Sequence, residues 1–236
     1  MSHLLAAVTT PSTTSAGASL NINLGSALGK PSDSILVILS LTLLALAPSL
    51  LILMTGFTRI IVVFSLLRQA LGLTTTPPNQ VLAGLALILS LFIMTPTLTQ
   101  LNKVALQPYL HGQDNAPQAY HAAEGPLKSW MLKQTGSQEL ALTTGVDGEH
   151  PATPNDASLA AIIPAFVLSQ LKSGFIIGFV LFIPFLVIDL VVASVLMSLG
   201  VVMLPPTLVS LPFKLLLFVM VNGWILVTHS LVVGFS

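Results

Sequence analysis

Apolar residues in this chain come in long blocks rather than in alternation with polar ones. The first block covers residues 35–55, follows Pro31 and an Asp33–Ser34 pair suited to capping a helix, and contains Pro48, which predicts a kink. Residues 57–71 form a second helical stretch, carrying Arg59 and Arg68. Residues 72–80 read as a turn, because Pro77 and Pro78 cannot continue a helix, and 81–98 return as a third apolar helix. Apolar character resumes at Leu159. Residues 175–199 are long enough to cross a bilayer, which takes about 20 residues. Residues 200–207 turn the chain, and 208–235 form the last apolar helix. The pattern predicts an all-α membrane-complex protein with two long apolar helical hairpins, 35–98 and 159–236. Between them, residues 99–158 form a small polar helical domain, and residues 1–34 a flexible tail rich in Ser, Thr, Ala and Gly.

The inserted segment differs in kind. It holds nine of the sixteen charged residues, three of the five histidines and both tyrosines. Residues 117–125 and 145–155 read as loops and 126–134 as a short helix, with Trp130 and Met131 available for packing. Arg59 and Arg68 flank the first hairpin tip, against only Lys103, Lys128 and Lys133 in the polar domain. The positive-inside tendency therefore puts the tips toward the cytoplasm and the polar domain outside it. The start of the chain lacks the features of a secretory signal. Residues 4–8 are a five-residue apolar core with no Lys or Arg before it, where a signal needs a basic start and about 7–15 apolar residues. A weak signal, targeting through the first long helix, or a remodelled N-terminus would each fit.

The hairpins resemble two copies of one unit. Leu71-Gly72, four residues, then Pro77-Pro78 matches Leu199-Gly200, four residues, then Pro205-Pro206. The same offset of 128 brings Phe57 onto Phe185, Ile60 onto Ile188 and Val63 onto Val191. Duplicated hairpins are frequent in membrane transport folds, although leucine, glycine and proline are also common at hairpin tips.

Composition narrows the function classes. Of 236 residues, 54% are hydrophobic and 7% are charged, where a soluble domain carries about 25% charged residues. Most of the surface must therefore face lipid or apolar protein. Eight basic residues balance eight acidic ones, which removes the electrostatic case for nucleic acid. Without cysteine there is neither disulfide nor thiolate chemistry, and the five histidines form no metal-ligand pair. No glycine-rich phosphate loop, HExxH or Ser–His–Asp arrangement is present, so the reading is no enzyme and no cofactor.

Two charges stand in apolar surroundings. Asp189, in LVIDLVV, is eleven residues before Gly200, and Lys214, in LPFKLLL, is seven after Thr207. Their depths differ by roughly 6 Å of helix, within side-chain reach. The pair reads either as a proton or ion relay or as a structural pair that fixes hairpin register, and the absence of further ionisable groups favours the second. Arg59 and Arg68 are nine residues apart and fall on different helix faces, so at least one is expected to reach solvent or lipid. Met197 and Met203 bracket the second tip. Either they are ordinary apolar fill or they supply deformable contact to a passing chain.

FTRIIVVFSLLRQALG (57–72), PPNQVLAGLAL (77–87), IPFLVIDLVVASVLMSLG (183–200), LPFKLLLFV (211–219) and GW (223–224) resemble the FliP family of flagellar type III export-gate proteins. The virulence-secretion SctR family shares the architecture. The resemblance covers both hairpins. It implies several copies of the chain assembling with FliQ and FliR homologues, in contact with an FlhB homologue and membrane lipid. The site implied is the inner membrane at the flagellar basal body, where unfolded flagellar export substrates pass through a central channel. It also implies that the apolar helices sit partly above the bilayer plane. Val201, Val202, Met203 and Leu204, with Met197, occupy the place of the family's Met-rich stretch and are the expected channel seal; only Met203 keeps the methionine within that turn. Gln170 and Asn222 stand where Glu and Asp are common in the family. The alternative reading is a small secondary transporter or ion channel using Asp189 and Lys214.

Overall fold

The computed structural model describes residues 31–148, 151–201 and 203–235, and among them every regular element is helical. The tail expected at 1–34 lies outside the described residues as far as position 30. The chain divides into two units, Met1–Ala47 and Pro48–Ser236. Helix α1 (Pro31–Leu53) opens on a proline, which suits a first helical turn because no N–H is needed there, and runs on through Pro48. Its exposed side chains include Ile35, Ile38, Leu39 and Leu44.

In the larger unit the central element is α2 (Phe57–Ala70). Ile60, Val63, Phe64 and Leu67 recur at helical spacing and are all buried. Helix α3 (Asn79–Leu101) follows the first tip and does not stop at the expected position 98. A π-helical turn (Asn102–Leu106) and α4 (Gln107–Leu110) extend it to a 32-residue apolar rod.

The polar segment contains α5 (Ala116–Lys133) and α6 (Ser137–Asp147). Residues 117–125 are therefore helix, not the expected loop. Asn115 caps the first turn, Pro117 sits where no N–H is needed, and the Gln118 side chain returns the bond to the Asn115 N–H. A 3₁₀ turn (Pro154–Asp156) leads to α7 (Leu159–Ser198), capped by Ser158. The last apolar helix, expected to be continuous, is broken into α8 (Pro206–Met220) and α9 (Gly223–Val233), bent by 62°. Asn222 takes a left-handed conformation (φ 50°), and Gly223 leaves room for the Phe218 ring against its backbone.

Helix α7 runs alongside α2 in the same direction. Gly174 lies against Val62 and the Arg59 carbonyl, and Gly178 lies against Leu66. In this crossing residues 112 apart are neighbours, whereas the two turns are 128 apart. Helix α7 thus continues roughly 16 residues, or about 24 Å, past the level of the first turn before making its own. Its first half is buried by α2, α5 and α6 through Ile162, Ala165, Phe166 and Gln170. Its second half exposes Phe179, Val187, Leu190 and Val195.

Candidate functional site: two hairpin tips and the charges beneath them

Both tips use the same backbone plan. Gly72 (φ 77°) and Gly200 (φ 73°) take the left-handed conformation that glycine adopts without a Cβ penalty. The N–H of Leu73 donates to the Arg68 carbonyl at 3.1 Å, and the N–H of Val201 to that of Leu196 at 3.0 Å. Those donors and acceptors are 128 residues apart, the offset of the sequence match. Side chains treat the tips differently. Arg68 Nη1 donates to Asn79 Oδ1 at 2.6 Å and to the Pro77 carbonyl at 3.1 Å, closing the first turn. At the second, Met203 is 96% exposed and Met197 and Leu204 are exposed, while Val201 is half-buried. Val202 lies outside the described residues.

Beneath the second tip Asp189 and Lys214 meet. Lys214 Nζ donates to Asp189 Oδ2 at 2.6 Å and to the Ala70 carbonyl at 3.0 Å. The Ser210 hydroxyl donates to the other carboxylate oxygen. The lysine side chain is 3% exposed and the aspartate 28%. A buried ammonium needs its counter-charge and its hydrogen bonds satisfied, and here it donates to the Asp189 carboxylate and to the Ala70 carbonyl, while Ser210 holds the carboxylate's other oxygen. The cluster binds α7 and α8 to the last residue of α2, so it fixes the second hairpin to the first as well as its own register. Ser210, one turn before Lys214 in an otherwise apolar stretch, is the partner that spacing alone could have revealed. The Ala70 carbonyl is a backbone atom and carries no sequence signal.

Arg59 is not near the first tip. It sits in the first turn of α2, thirteen residues or roughly 20 Å of helix from Gly72, and is 4% exposed. Its guanidinium donates to the Gly234 carbonyl at 2.7 Å and to Gln134 Oε1 at 3.1 Å, and lies 4.0 Å over the Phe235 ring. Gln134 in turn donates to the Phe235 carbonyl, and Gln170 donates to that of Gln134. The residue expected at the tip instead anchors the end of α9, and of the two arginines only Arg68 supports the orientation argument. Among the described residues no group of three His, Asp or Glu side chains could hold a metal ion.

By length and apolarity, Asn79–Leu110 and Leu159–Ser198 can each cross a membrane, and the bent pair α8–α9 can form a broken third span. A model of the FliP family matches residues 40–231. The chain is 49% identical over 205 residues to the flagellar biosynthetic protein FliP of Bacillus subtilis, covering 86% of this chain and 93% of that protein. It is 47% identical over 227 residues to the FliP of Caulobacter vibrioides, covering 96% and 85%. The FliP of Aquifex aeolicus is 47% identical over 203 residues, covering 85% of each.

Proposed function

The chain belongs to the FliP family, and we propose that it is a membrane subunit of the flagellar protein-export apparatus. In this reading several copies, with FliQ- and FliR-type subunits and an FlhB-type partner, line a channel at the inner-membrane base of the flagellum. Unfolded flagellar proteins leave through it. One observation carries the reading. Helix α7 has 40 residues, about 60 Å, twice the thickness of a bilayer's hydrocarbon core, and its far half leaves Phe179, Val187, Leu190 and Val195 exposed. Lipid can cover only part of such a rod, and the remainder calls for apolar protein neighbours. The exposed Met197, Met203 and Leu204 at its end suit a deformable contact between copies, with the adaptable methionine side chain against whatever passes.

The transporter alternative has less to stand on. Asp189 and Lys214 are committed to each other, to Ser210 and to the Ala70 carbonyl, and no further ionisable side chain joins them among the described contacts. Because the chain has no cysteine, single cysteines report cleanly. Val195→Cys should crosslink within an assembly larger than one chain, in cells whose motility and export this chain restores in place of their own FliP-type subunit. A chain that restores export while Val195→Cys stays monomeric under crosslinking would overturn the proposal.

A further inference from the structure

One face of α3 changes character along its length. Ile88, Phe92, Pro96 and Gln100 follow at four-residue intervals and so stack above one another. Ile88 and Phe92 are exposed and apolar, and Gln100 ends the row in a polar amide. Beside the upper half of this row opens a cleft of about 400 Å³, between α3, α5 and the end of α9. Trp130 and Phe235, both buried and stacked at 5.9 Å, belong to its lining. Gln100, Ser129 and Lys133 are its exposed polar members. The lining holds one cation and no carboxylate. Lys128, Lys172 and Lys214 each face an acidic partner, whereas neither Lys133 nor Lys103, which lies outside the cleft, has an ion pair among the described residues.

The geometry points to a binding site for an anionic glycerophospholipid, its phosphate at Lys133 and Ser129 and one acyl chain along Phe92 and Ile88. A cation beside an aromatic floor at the polar end of an apolar helix face is the arrangement that holds lipid headgroups at a membrane boundary. Lys133 in the last turn of α5 also complements that helix's dipole. That explains a lysine there but not the amphipathic cleft beside it. The inference requires only that α3 lies in a bilayer, so it stands or falls apart from the export reading.

Trp130 reports on the site once Trp224, the second tryptophan, is replaced by Phe, which keeps a ring against Phe64 and Phe218. The full chain is reconstituted in vesicles containing brominated phosphatidylglycerol or, in parallel, brominated phosphatidylcholine. Phosphatidylglycerol should quench Trp130 at a several-fold lower mole fraction, and Lys133→Gln should abolish that preference. Native mass spectrometry of the chain with both tryptophans should show retained phosphatidylglycerol that Lys133→Gln loses. Excess inorganic phosphate should leave the quenching unchanged, since a free ion has no chain to lay on Phe92. Equal quenching by the two lipids, or an unchanged preference in Lys133→Gln, overturns the site. So does reversal by inorganic phosphate, which would mark a simple anion pocket. Absence of quenching together with copy-to-copy crosslinking at Lys133→Cys would assign the cleft to a second chain, which also overturns it.

Discussion

At the first hairpin tip Leu71 and Leu82 are buried and Arg68 bonds across the turn, whereas at the second Met197, Leu199, Met203 and Leu204 are all exposed. The position equivalent to Arg68, 128 residues on, is Leu196, which cannot make those bonds. Yet the two turns open alike, with the same glycine conformation and hydrogen-bond register, before they diverge at Thr76–Pro77, which is cis only in the first. Turn geometry is thus a local property, set by a Leu-Gly pair closing a helix. Whether a tip becomes core or free surface depends on how far its helices run beyond their neighbours. Because α7 overshoots α2, the second tip projects free, whereas at the first Leu71 and Leu82 are packed against neighbours and only the turn between them is exposed.

Removing the clamp between the hairpins should have the largest effect. Lys214→Met leaves Asp189 and the Ala70 carbonyl without their cation and should destabilise by about 3 kcal/mol, the low end for a broken buried pair because Asp189 is partly exposed. Thermal unfolding in detergent measures this, and adding Asp189→Asn should recover part of the loss. Next comes the stagger itself. Gly178→Leu forces a side chain into Leu66 and should cost about 1–3 kcal/mol while loosening α7 from α2. Crosslinking between cysteines placed at Val62 and Gly174, which are in contact in the parent fold, should fall in parallel.

Arg68→Ala should cost about 1 kcal/mol by removing the bonds to Asn79 and Pro77, while Leu196→Ala, at the exposed tip, should lower the unfolding temperature less. Replacing Val201, Val202 and Met203 by serine should change stability by less than about 0.5 kcal/mol, since Met203 is almost fully exposed. If the proposed seal lies there, the same variant should raise ion leakage through assembled, resting complexes in planar-bilayer conductance. Unchanged leakage with normal assembly would place the seal elsewhere.

The smallest effect lies at the other end of α7. Lys172 Nζ, 2.8 Å from Glu139, donates the hydrogen bond that chiefly holds this carboxyl below its usual range. A carboxyl lowered by folding stabilises above its unfolded pKa, and that contribution disappears as pH falls through the lowered value. Amide protection factors in α6, taken relative to the intrinsic exchange rate at each pH, should therefore fall on acidification, and Glu139→Gln should flatten the response.

Much of this molecule is legible in its sequence. The apolar blocks and both Gly-Pro-Pro turns were visible because helix formation and turn closure depend on neighbouring residues. Asp189 and Lys214 could be paired because a single turn sets their relative depth. The helix at 116–125 is equally legible in Asn115, Pro117 and Gln118, although Pro117 and Gly125 at the bounds of this stretch favour a loop. The place of Arg59 is hidden for a different reason: its acceptors are one backbone carbonyl and one side-chain amide, 175 and 75 residues away, and a backbone acceptor leaves no trace in a pattern of side chains.

Transfer of apolar side chains out of water depends on composition along a segment, and so the order of residues sufficed to make this an all-helical membrane protein with two turns of one design. The stagger of the hairpins, the break at Asn222 and the burial of Arg59 followed only from packing. Each depends on which surfaces approach closely enough to exclude a Cβ or water, as Gly174 and Gly178 do against α2. That closeness is a relation between distant segments, settled when the chain is folded upon itself.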